Sequence, residues 1–210
     1  MTEDLTPPAV PEEQLETGGW EQTELQGETL FEMPTMRIRG VTRRYEDERT
    51  RAALRDATDG RIDHPLRFFA VTRLTFDPPP PPGVTPTMFA PTLRTEARRT
   101  FAERLEERGL TDIERDRSER MRLPDRSRAR MTRFTATDPL DAGGDLPLEC
   151  WVAIWTNSST VRVVTGAYPA TALDSLFGLD TDAEPLRVAP DGYRSEFISL
   201  LRGVAEADQG

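Results

Sequence analysis

A chain of 210 residues, 36% hydrophobic and 30% charged, has room for one good-sized domain and a tail. No apolar run approaches the ~18 residues of a membrane span, and the N-terminus lacks the basic start and apolar core of a secretory signal. All 27 basic residues are arginine, set against 37 acids for a formal net charge of −10. The single cysteine, Cys150, excludes an intrachain disulfide and sits inside an apolar run, which fits a buried thiol and a cytoplasmic setting.

Charge is unevenly placed. Residues 1–36 hold nine acids and no arginine, so the remaining 28 acids face 27 arginines almost evenly. Four prolines, Gly18-Gly19 and few aliphatics mark residues 1–35 as a segment unable to bury enough surface to offset its ordering entropy. A disordered acidic tail is expected there, with Trp20 and the Leu30–Pro34 patch as the places where it would dock.

A single α+β domain is expected over 36–207. Met36–Tyr45 alternates weakly as a first strand, and 46–59 reads as a short helix with Ala53, Leu54 and Ala57 on its apolar face. Leu66–Phe76 alternates clearly as a second strand. Pro78–Pro82 must stop it, because proline donates no backbone hydrogen bond. Five such residues at ~3.1 Å each make a stiff rod about 15 Å long, read here as a rigid crossover over the sheet rather than as a ligand for an aromatic groove.

Thr92–Arg108 is the strongest helix: Leu93, Ala97, Phe101 and Leu105 form one stripe, and Gly109 stands where a left-handed cap belongs. Residues 111–137 read as a hairpin turning at Pro124-Asp125, with a helix at 111–122 as the competing assignment. From Arg115 to Arg133 there are eight arginines and three acids. Like charges across a ladder repel, so these arginines need carboxylates or anions nearby.

Leu148–Pro169 is the central feature: two runs apolar on both faces, joined by Asn157-Ser158-Ser159, form a hairpin needing cover on both sides. Residues 170–177 read as a short helix closed by Gly178. Tyr193, Phe197, Leu200, Leu201 and Val204 fall at the spacing of a final amphipathic helix over 191–206. The expected architecture is one antiparallel sheet covered by helices on both faces.

No catalytic residue, metal site or cofactor is indicated. His64 has no second histidine, and the chain lacks a G-x-S-x-G elbow and the glycine-rich phosphate loops. The candidate binding residues are Arg115, Arg117, Arg128, Arg130 and Arg133 of the arginine hairpin, and Trp151 and Trp155 as a stacking pair. Large aromatics in an apolar strand are more often core than platform. The partner would be a protein or an anionic ligand; the acidic tail lying across these arginines is an intramolecular alternative. Nucleic acid is the weaker reading, because aromatics are not interleaved with the arginines. A small-molecule enzyme with a pocket near Trp151, Trp155 and His64 is the alternative from another class.

The motifs LRFFAVTRLTFDPPPPP and ECWVAIWTNSSTVRVVTGAYP, with the lysine-free acidic composition, resemble uncharacterised proteins of salt-loving archaea. The outline is similar to the PsbP-like α/β/α sandwich. That resemblance implies a non-enzymatic binding or assembly role, and transfers no functional residue.

Overall fold

A computed structural model describes residues 6–33, 36–141, 144–156 and 160–208, with the side chains of 31–33 set aside. The expected turn at 157–159, and the docking of Phe31–Pro34, lie outside the described residues. Seven strands form one antiparallel sheet: β1 (Trp20–Met33), β2 (Met36–Asp47), β3 (Phe68–Asp77), β4 (Thr111–Arg122), β5 (Arg128–Pro139), β6 (Asp145–Thr156) and β7 (Val161–Pro169). Their spatial order is β1-β2-β3-β7-β6-β5-β4. Among the described residues five α-helices accompany them: α1 (Glu12–Gly18), α2 (Glu48–Ala57), α3 (Ala90–Glu107), α4 (Leu173–Phe177) and α5 (Pro190–Ala207).

The topology follows from one long crossing. After β3 the prolines end the strand, and the chain runs through α3 to the far edge at β4. An 18-residue helix spans about 27 Å, enough to cross four strand spacings of ~4.8 Å each. From β4 the chain returns as a meander, β4-β5-β6-β7, and β7 closes on β3 through pairs such as Val71↔Val164. The expected Gly109 cap is present: its φ is 86°, and the Leu110 amide donates to the Leu105 carbonyl at 3.1 Å.

The tryptophan hairpin sits inside the sheet, flanked by β5 and β3. Along β6, Trp151, Ala153 and Trp155 join the cluster of Tyr193, Phe197, Leu200, Leu201 and Val204 from α5. The intervening Leu148, Cys150 and Val152 join Phe101 and Leu105 of α3. Gly166 admits α5 closely, since a Cβ there would lie 2.7 Å from the Phe197 ring.

The disordered tail is a correction. Described residues of that segment form α1 and the 14-residue edge strand β1, which pairs along β2 from Trp20↔Asp47 to Met33↔Met36. Trp20 is buried; its Nε1 donates to Glu196 at 3.0 Å, and its ring meets Phe69 edge-on at 6.3 Å. The Arg67 guanidinium lies 4.8 Å from the Trp20 ring centre and 4.4 Å from that of Tyr193, and bonds both Asp47 and Glu196. Asp47 also caps α2, accepting from the Thr50 amide at 2.9 Å. A composition poor in aliphatics is thus held by one indole, one buried cation and a borrowed ladder.

Trp20→Ala should cost about 3 kcal/mol, the usual loss for emptying a buried aromatic site. Urea unfolding checks this: the midpoint should fall with little change in slope, whereas a detached tail would leave it unmoved.

Candidate anion-binding cleft

The β4–β5 hairpin places arginine against arginine. Arg120 lies directly opposite Arg130, and Arg122 directly opposite Arg128. A bulge between Arg115 and Ser118 brings residues three apart onto one side, with Arg115 opposite Phe134 and Ser118 opposite Thr132. Arg115 donates to Ser118 Oγ at 3.4 Å, and the Ser118 and Thr132 hydroxyls are 3.1 Å apart. Arg94 and Arg98 of α3 overlook this stripe, and with Arg130, Ser118, Thr95 and Thr132 they line a cleft of about 300 Å³. Its floor is Val152 and Ile154.

None of Arg94, Arg98, Arg115, Arg120, Arg122, Arg128 and Arg130 forms an ion pair with a described carboxylate. Desolvation first, and then the charges of Arg115 and Arg94, hold the Arg98 guanidinium below the usual arginine range. Arg130 is lowered likewise, by desolvation and then by Arg120 and Arg94. The cleft is a concentration of uncompensated positive charge in an acidic protein.

The neighbouring carboxylates are engaged elsewhere. Arg117 pairs with Glu119 at 2.8 Å, and Arg133 with Asp116 at 2.8 Å and Glu149 at 3.1 Å. Arg194 reaches Glu119 at 2.8 Å and lies 5.5 Å from the Trp151 ring centre, with Arg117 at 5.9 Å. The pleat therefore sorts the hairpin charges: Ser118, Arg120 and Arg122 alternate with Arg117, Glu119 and Met121.

Of the residues singled out by sequence, Arg130 lines the cleft, Arg115 borders it through its bond to Ser118 Oγ, and Arg128 stands two residues along β5 from Arg130, toward the hairpin tip. Arg117 and Arg133 are neutralised away from it. Trp151 and Trp155 are 0% and 2% exposed and pack within the α5 cluster, away from the cleft. The Trp151 Nε1 donates to Tyr168 Oη at 2.8 Å, and that hydroxyl donates to Glu149 at 3.1 Å. Burial pushes the Tyr168 hydroxyl far up, with Glu149 adding to it. Four arginines that sequence reasoning does not single out stand here as well: Arg94 and Arg98 line the cleft, and Arg120 and Arg122 stand beside it on β4. The alternation of Arg120 and Arg122 signals the latter two, whereas nothing local marks the α3 pair.

The N-terminal acids do not reach the hairpin among the described residues. β1 forms the sheet edge opposite β4, with Glu12 on Arg43 at 3.2 Å and Glu28 on Arg104. A larger cavity of about 340 Å³ lies between α3 and β1–β3, over Phe68, Leu74 and Phe101. Its rim balances Glu24, Glu28 and Glu107 against Arg44, Arg104 and Arg108, so it favours neither sign of charge.

His64 stands apart from the indoles. Its Nε2 lies 2.8 Å from Asp138, in a smaller cavity with Leu148 and Ala167. The Leu148 side belongs to the α3 cluster, and the tryptophans belong to the α5 cluster. A pocket combining Trp151, Trp155 and His64 is therefore not formed. Among the described residues, no group of three His, Cys, Asp or Glu side chains is placed to hold a metal. No described helix is long and apolar enough to cross a membrane.

A family model described as a domain of unknown function, DUF6517, matches residues 7–205. The chain belongs to that family. No curated protein matches significantly. No solved structure does either.

His64 also generates a pH dependence. The hydrogen bond to Asp138 raises its pKa above the ordinary value, against desolvation. A raised folded-state pKa stabilises the fold below the unfolded value of about 6.5, and that stability is lost as pH rises through the folded value. Cys150 adds to the same trend only at higher pH: burial pushes its thiol far upward, so stability is also lost once pH passes the unfolded thiol value of about 8.5. Thermal unfolding should therefore show stability falling as pH rises above about 6.5 and before the Cys150 thiol of the unfolded chain ionises, and His64→Gln should remove that part of the slope.

Proposed function

We propose that this DUF6517 member is a non-enzymatic binding or assembly domain that captures an anionic partner in the α3–hairpin cleft. The observation that carries the reading is a group of seven guanidiniums without a described carboxylate partner, three lining the cleft (Arg94, Arg98, Arg130) and four beside it on the β4–β5 ladder, in a chain with ten more acids than bases. Direct opposition of like charges costs about 0.2–1 kcal/mol per pair, and a chain rich in Glu and Asp had ready means to relieve it. Retaining it favours a ligand that supplies the missing charge. Guanidinium forks with the hydroxyls of Thr95, Ser118 and Thr132 suit phosphate or carboxylate oxygens, which accept several donors at once.

The scaffold we infer is the α/β/α sandwich, with α3 and α5 against opposite faces. Its support is the alternation along β6, whose odd and even residues join different helix clusters. The lysine-free, acid-rich composition supports a salt-rich cytoplasm as the working environment. There an anion would be held by several converging bonds rather than by long-range attraction, which salt screens within about 8 Å or less.

Arg120→Glu separates ligand binding from stability. It would place opposite charges across the ladder, so urea unfolding should show a gain of about 0.5 kcal/mol. Calorimetric binding of inorganic tripolyphosphate should weaken at least tenfold, while Arg99→Ala, on a residue paired with Glu96 and Glu103, leaves it unchanged. Equal tripolyphosphate affinity in wild type and Arg120→Glu would overturn the proposal.

A further inference from the structure

The geometry points to an extended acidic peptide as the partner, added as an eighth strand along the free edge of β4; this rests on the anion-binding reading above. β4 ends the sheet order, and most of its residues are exposed. One side of its backbone ladder is therefore open to another chain. Its register is unbroken from Ser118 to Arg122, a stretch of five residues or about 17 Å.

Within that stretch Arg120 and Arg122 project to the cleft side two residues apart, a repeat of about 6.8 Å. Acids at alternate positions of an added strand share that repeat, so each would meet a guanidinium of β4, with Arg130 and Arg128 one strand behind. Antiparallel pairing of β4 with its counterpart from a second copy, centred on Arg120 in this stretch, would instead set Arg120 beside Arg120. The same charges that blunt self-pairing thus select an acidic strand. The cleft presents Val152 and Ile154 rather than aromatic rings, which leaves bases nothing to stack on and disfavours nucleic acid.

The test compares a labelled ten-residue peptide of alternating Glu and Thr with a peptide of the same composition in block order, using fluorescence anisotropy on the full chain. Tripolyphosphate and a single-stranded RNA of equal charge are run beside them, and amide exchange is read over 118–122. The alternating peptide should bind at least tenfold tighter than the block peptide and than RNA. It should slow exchange of β4 amides, and lose at least tenfold in affinity in Arg120→Glu. Equal affinity for the two peptides, tighter binding of RNA, or binding without slowed exchange would overturn strand addition. If tripolyphosphate still binds in those cases, the anion-binding reading stands; if neither it nor the peptides bind, both fall.

Discussion

One buried guanidinium holds the ends of this molecule together. Arg67 is 6% exposed, lies between the rings of Trp20 and Tyr193, and bonds the carboxylates of Asp47 and Glu196. These groups come from the start of β1, the end of β2 and the body of α5, so a single side chain fixes elements distant in sequence. Desolvating a cation is expensive, and the arrangement tolerates it because two carboxylates and two aromatic faces replace its water. Burial lifts the Tyr193 hydroxyl to about 12, with the nearby Arg67 charge opposing the rise.

The contrast between Arg67 and the cleft arginines organises the functional argument. Arg162 bonds Asp208 at 2.6 Å, and Arg133 is held by Asp116 and Glu149. Around the α3–hairpin cleft, guanidiniums without such a carboxylate are gathered together. The acids of the hairpin were available, but the pleat turns Glu119 to the opposite side, where it serves Arg117 and Arg194. Positive charge is thereby collected on one side of a sheet edge whose backbone is open.

Much of the secondary structure was legible because its signals are local. The β6–β7 hairpin shows period-two apolarity, α3 its stripe and Gly109 cap, and α5 its buried face. The helix alternative for 111–122 lost, because β5 supplies a ladder partner that outweighs the poor strand preference of Asp, Glu and Arg. β1 was illegible for the converse reason. Its exposed edge carries polar residues such as Glu21, Gln22 and Thr23, and its order comes from β2 and Arg67 rather than from itself.

Sequence alone determined that the hairpin between α3 and β6 would be overloaded with arginine and that the two-tryptophan strand would be interior, since composition and alternation are properties of a short stretch. Only the tertiary structure decided which arginines go unmatched. That outcome depends on the bulge between Arg115 and Ser118, on the sorting of Asp116 and Glu119 to other partners, and on the long crossing of α3 that brings Arg94 and Arg98 overhead. Each is a relation between segments, and charge balance at a site depends on which neighbours the fold supplies.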